Sequence, residues 1–231
     1  MEQNSFNTRL SFFQKLKNFD YILLICILLL GTISAFTMYS TDRGSMEYHT
    51  QSHILRFSIF FILFITISFF QIRFWFNIGT LIYIVFFILL LCVKYFGLTS
   101  SGSQRWINLY FMNLQPSELM KIGLILFLAK YYHRIPLHEV NRLKFLFLPI
   151  IALLAPVLLV ITQPDLGTSI LIAVGGVVVA WLAGVKIKFF AYLSVLFISL
   201  APIAISFLKP YQKARILTFL NPDRDPLGAG Y

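Results

Sequence analysis

The chain has 231 residues, of which 58% are hydrophobic and 12% charged, with a formal net charge of +10. A soluble domain carries about a quarter charged residues, so this balance excludes an ordinary soluble enzyme and predicts an all-α, polytopic integral membrane protein. The positive charge would suit nucleic acid, but no basic patch is interleaved with polar surface; it reads as loop bias and attraction to anionic lipid, with no nucleic-acid partner.

Residues 1–20 read as a polar cytoplasmic segment containing Arg9, Lys15 and Lys17. The first apolar run, 21–38, is read as an uncleaved span. It is long for a signal peptide, and cleavage after Ala35 would leave bulky Ile33 at the minus-three position. Further apolar runs cover 54–70, 74–96, 119–132, 145–161, 169–185 and 189–208. Each approaches the roughly 20 residues that cross a bilayer, giving seven transmembrane helices within 21–208. Cys26 and Cys92 fall inside these runs and read as packing residues, not a disulfide.

Lysine and arginine set the orientation. With the N-terminus inside, the inner segments hold ten: Arg9, Lys15, Lys17, Arg73, Lys130, Arg134, Arg142, Lys144, Lys186 and Lys188. The outer segments before the seventh span hold five: Arg43, Arg56, Lys94, Arg105 and Lys121. The N-terminus is therefore expected in the cytoplasm. The 100–118 loop, the 162–168 turn and the 209–231 tail are expected outside, the tail as the start of a large extracytoplasmic loop.

The longest polar interruption in the middle of the chain is 100–121, which holds Arg105, Glu118 and Lys121. A charge placed against lipid is costly and marks function by default. Gln115-Pro116-Ser117-Glu118 opens the fourth span, and Gln163-Pro164-Asp165-Leu166 opens the sixth. Proline suits a first helical turn. Ser117, Glu118 and Asp165 then lie beside open backbone N–H groups and positive dipole ends, which together make an anion site on the outer face. Glu118 and Lys121, three apart, can pair on one helix face. Asp165 also has a plain reading as a helix cap.

Other features read as structure. Gly175-Gly176 suits close helix packing. His49 and His53, with Glu47 nearby, are loosely zinc-like but lack a third ligand at matched spacing. His133 and His138 read as solvated. In the tail, 209–220 reads as an amphipathic interfacial helix stopped by Asn221-Pro222, and Asp223 and Asp225 as turn residues.

Ser-Gly-Ser-Gln-Arg-Trp-Ile at 101–107, Gln-Pro-Ser-Glu-Leu-Met-Lys at 115–121, Gln-Pro-Asp-Leu-Gly-Thr-Ser at 163–169 and Asn-Pro-Asp-Arg-Asp-Pro-Leu-Gly-Ala-Gly-Tyr at 221–231 resemble the SEDS family (shape, elongation, division and sporulation), and within it the rod-shape branch. Tyr110 and Asn113 depart from the family pattern. The resemblance implies a peptidoglycan glycosyltransferase in the bacterial cytoplasmic membrane. It would polymerise lipid II, an undecaprenyl-pyrophosphate disaccharide pentapeptide, during elongation, working with a class B penicillin-binding protein and the elongation machinery.

Arg105, Trp106, Gln115, Glu118, Lys121, Gln163 and Asp165 would then bind substrate, with a divalent cation the one cofactor left open. The chain resembles the N-terminal two-thirds of such a protein. The catalytic acidic residue is expected beyond Tyr231, with Asp165 the candidate if it lies within. Two rivals stand beside this reading: a lipid II flippase or transporter, and a non-catalytic fragment of an interrupted gene.

Overall fold

A computed structural model of the chain describes residues 12–100, 103–109, 113–163 and 165–206. Among these, the element order is α1 Phe12–Lys17, α2 Tyr21–Thr41, α3 Tyr48–Ser68, α4 Ile72–Phe96, β1 Leu98–Ser100, β2 Ser103–Asn108, β3 Asn113–Leu114, α5 Pro116–His133, α6 Leu143–Thr162, α7 Leu166–Leu182 and α8 Ile187–Ser206. The chain divides into two compact units, 1–77 and 78–231.

In the first unit, Asp20 caps α2 by accepting from the Leu23 amide at 3.0 Å. Lys15 donates to the Phe69 carbonyl at 2.6 Å, placing a cation at the negative end of α3. α2 packs on α3, and Gly31 is what lets them meet: the Phe57 ring fills the space a Cβ would take. The turn between them passes through left-handed Arg43 and Gly44, at φ 56° and 78°. This turn aims the buried Asp42 carboxylate at α3. Oδ2 accepts from the Thr50 amide at 2.8 Å and the Thr50 hydroxyl at 2.7 Å. Glu47, the formal cap residue, makes no side-chain cap bond, so Asp42 does that work from the end of the preceding helix. The Thr50 hydroxyl and then the Thr50 amide hold the Asp42 carboxyl below its ordinary pKa.

The second unit is built from α5, α6 and α7, each packed on the other two, with the sheet β1-β2-β3 at one end. Leu90 from α4, Met120, Leu124 and Leu128 from α5, Leu146, Leu159 and Val160 from α6 and Ile172 from α7 form its buried core. Lipid tails are as apolar as leucine, so this core is held by packing and hydrogen bonds more than by transfer from water.

α4 meets α5 through reciprocal glycines. A Cβ on Gly79 would stand 3.1 Å from the Leu126 carbonyl oxygen, and one on Gly123 would stand 3.3 Å from the Tyr83 Cα. Backbone stands in the way in both cases and cannot rotate away, and at Gly123 the Phe86 ring is closer still, with Cδ2 at 3.0 Å. Gly123→Val is therefore expected to destabilise the protein by about 1 kcal/mol, the low end for overpacking. Gly175→Val should be near neutral, because the nearest atom to its Cβ is an Ile125 methyl at 3.9 Å. Unfolding curves in mild detergent measure both; equal midpoints would refute the close approach. Of the expected glycine pair, Gly176 alone packs tightly, with Leu153 in the space a Cβ would need.

α6 carries Pro149 and Pro156 in its interior, both buried. Each removes the N–H that would bond the carbonyl four residues earlier. Those carbonyls belong to Phe145 and Ala152, and both are satisfied from outside the helix. The Tyr131 hydroxyl donates to Phe145 at 3.0 Å, and the Tyr83 hydroxyl donates to Ala152 at 2.9 Å.

Among the described residues, each expected apolar run coincides largely with one helix from α2 to α8, although α3 ends at Ser68 and α7 at Leu182, short of the expected 70 and 185. Among the described residues, α2, α3, α4 and α6 are long and apolar enough to cross a membrane, and α7 is a shorter apolar helix. Boundaries differ where caps override hydropathy. α3 begins at Tyr48, six residues before the expected run, because Asp42 holds its polar first turn. Cys26 corrects its expected role, being exposed on α2 instead of packed, while both cysteines are free as expected. The expected tail helix, Asp223 and Asp225, and Arg9, Tyr110 and Pro164 all lie outside the described residues.

The arrangement at the tops of α5 and α7

Within 98–114, read from sequence only as a polar loop, β1, β2 and β3 pair as antiparallel strands. Thr99 pairs with Gln104 and Ser100 with Ser103, while Ile107 pairs with Leu114 and Asn108 with Asn113. A Ser-Gly dipeptide inside a polar run is a turn signal in the sequence. β2 carries Arg105 and Trp106, both half-buried, and packs against α5.

α5 starts with Pro116 in its first turn and Gln115 as N-cap. Gln115 makes no side-chain cap bond. Its amide instead reaches across to α7 and donates to Asp165 Oδ2 at 3.2 Å. Asp165 is itself the N-cap of α7, which starts at Leu166. Asp165 Oδ1 accepts from the Thr168 amide at 3.2 Å, and Oδ2 from the Thr168 hydroxyl at 2.9 Å. Arg105 Nε lies 3.7 Å from the same Oδ2, with the two side chains 24% and 9% exposed. This is an ion pair but too long for a hydrogen bond.

Arg105, Gln115 and Asp165 thus meet around one carboxylate between the first turns of two helices. Thr168 was missed from the sequence, although a carboxylate cap three residues before a hydroxyl signals such a bond. Gln163 does not join the cluster: its amide donates to the Leu90 carbonyl at 3.0 Å and ties the α6–α7 turn to α4. Glu118 and Lys121 pair at 2.8 Å as expected, as a separate and partly exposed pair on α5. Such a pair contributes under about 1 kcal/mol.

The donor set does not fit a divalent cation. Asp165 is the one carboxylate in the cluster, it already accepts from Thr168 and Gln115, and a second cation there would face Arg105. Among the described residues no three His, Cys, Asp or Glu side chains gather as metal ligands.

A model of the FtsW, RodA and SpoVE cell cycle proteins matches residues 10–231. The chain belongs to this family. The FtsW/RodA/SpoVE assignment is the SEDS resemblance read from the four motifs. The chain is 34% identical over 216 residues to the peptidoglycan glycosyltransferase MrdB of Escherichia coli K12, covering 92% of this chain and 57% of that protein. Its fold matches a chain from a peptidoglycan synthase complex that coordinates polymerization and crosslinking, at 27% identity and a TM-score of 0.74, over 91% of this chain and 62% of that one. It also matches the rod shape determining protein RodA of Thermus thermophilus, at 25% identity and a TM-score of 0.67, over 80% and 60% of the two chains. The chain therefore spans somewhat over half the length of these relatives. With its exposed apolar helices, such as Ile22 and Phe36 of α2 at 78% and 72% exposure, this family member is an integral membrane protein.

Proposed function

We propose that this chain forms the lipid-substrate-binding part of a peptidoglycan glycosyltransferase that polymerises lipid II in a bacterial cytoplasmic membrane. α2 to α8 would be seven spans, with 1–20 in the cytoplasm and the 98–114 sheet and the α6–α7 turn outside, as the lysine and arginine bias requires. The observation that carries the reading is the convergence of Arg105, Gln115 and Asp165 on the first turns of α5 and α7. Two helix N-termini and one guanidinium favour a dianion such as a lipid pyrophosphate.

Arg105 would carry charge on the pyrophosphate leaving group, where stabilising developing charge matters most. Asp165 and Gln115 act as positioning residues that hold Arg105 and the two helix ends together, and Gln163 ties this end to α4. Trp106 beside Arg105 and the Glu118–Lys121 pair would shape the surrounding surface. The general base for the acceptor hydroxyl is assigned to no residue of this cluster, since Asp165 is occupied as an acceptor. A class B penicillin-binding protein and the elongation machinery are the proposed partners, consistent with the synthase-complex neighbour.

The test is binding of fluorescent lipid II to the purified chain in nanodiscs. Arg105→Gln should weaken binding at least tenfold, whereas Arg142→Gln should leave it unchanged. Equal affinities for the two variants would overturn the site.

A further inference from the structure

At the opposite end of the second unit lies an apolar groove of about 450 Å³, within the roughly 300–1,000 Å³ typical of ligand sites. Tyr132, Leu146, Val177, Phe189, Tyr192 and Leu193 are among its lining, so α5, α6, α7 and α8 all contribute. The loops around it are fastened by Asn141, which donates to the Gly184 carbonyl at 3.2 Å and accepts from the Lys186 amide at 2.7 Å. The groove is thus preformed and lies between membrane helices.

Cationic residues adjoin the lining residues Leu143, Val185 and Phe189 in the chain. Lys144, Lys186 and Lys188 are exposed. Lys144 Nζ sits 4.5 Å from the Phe145 ring centre, and Lys188 Nζ sits 5.4 Å from that of the groove residue Phe189. Glu139, on the loop between α5 and α6, is already taken by Arg142 at 2.7 Å. Arg142 in turn leaves the first turn of α6 without a side-chain cap. Among the described residues these lysines pair with no carboxylate, and an apolar slot flanked by such cations suits an apolar chain carrying an anionic head.

We infer that this groove binds an anionic phospholipid, one acyl chain in the slot and its phosphate among Lys144, Lys186 and Lys188. The inference is independent of the Arg105–Asp165 reading, which concerns the other end of the helices. A bound lipid would fill the gap between α8 and the α5–α7 core and so couple their packing to membrane composition.

The full chain in neutral phosphatidylcholine nanodiscs, titrated with phosphatidylglycerol and read by native mass spectrometry of the released protein, tests it. Wild type should retain the anionic lipid over the neutral one at least tenfold. The Lys144→Gln, Lys186→Gln, Lys188→Gln triple variant alters only exposed side chains and should lose that preference. Val177→Phe should lower retention of the lipid, while Ile170→Phe, on an exposed face of the same helix, should not. An unchanged preference in the triple variant, or equal retention by the two phenylalanine variants, would overturn the inference.

Discussion

Asp165→Ala is expected to destabilise the protein by about 3 kcal/mol, more than any other single substitution at this end of the molecule. Three losses combine. The helix cap goes, at about 1 kcal/mol. Thr168 and Gln115 lose their common acceptor. Arg105, three-quarters buried, loses the carboxylate 3.7 Å away; removing one partner of a buried pair costs roughly 3–5 kcal/mol, reduced here by the long separation and partial exposure. Asp165→Asn keeps an oxygen for the Thr168 amide and removes only the charge, so it should cost clearly less. Unfolding by denaturing-detergent titration ranks the two. If alanine and asparagine cost the same, the cap contributes nothing, and the carboxylate matters only as a charge.

Among the described residues, the order of the long helices was legible in the sequence, because each coincides with an apolar run. The functional end was half legible. Arg105 stood out as a cation in the polar interruption, and Gln115 and Asp165 as polar residues where the fourth and sixth runs open. That they share one carboxylate depends on how β2 lies on α5, and no local pattern states that. Gln163 shows the limit: it has the same Gln-Pro setting as Gln115, yet its amide goes to Leu90 on α4. Asp42 shows another. It looks like loop polarity, and only the left-handed turn at Arg43 and Gly44 aims it at Thr50. Gly79 and Gly123 were passed over because they stand alone, whereas Gly175 drew attention merely by preceding Gly176.

The two prolines of α6 lead to a result that no inspection of single residues would give. Tyr83→Phe should cost about 2 kcal/mol, because it leaves the Ala152 carbonyl buried without a donor. The carbonyl lacks its helical partner only because residue 156 is proline. In a Pro156→Ala background the new N–H can bond Ala152 directly, as in any α-helix, and Tyr83→Phe should then cost under about 0.5 kcal/mol. The cycle therefore predicts a coupling of more than 1 kcal/mol between two side chains that share an acceptor. Tyr131→Phe with Pro149→Ala repeats the arrangement at Phe145 and should couple with the same sign. Four unfolding curves for each pair measure this. An undiminished penalty for Tyr83→Phe in the alanine background would mean that the hydroxyl serves packing between α4 and α6 and does not replace the missing amide.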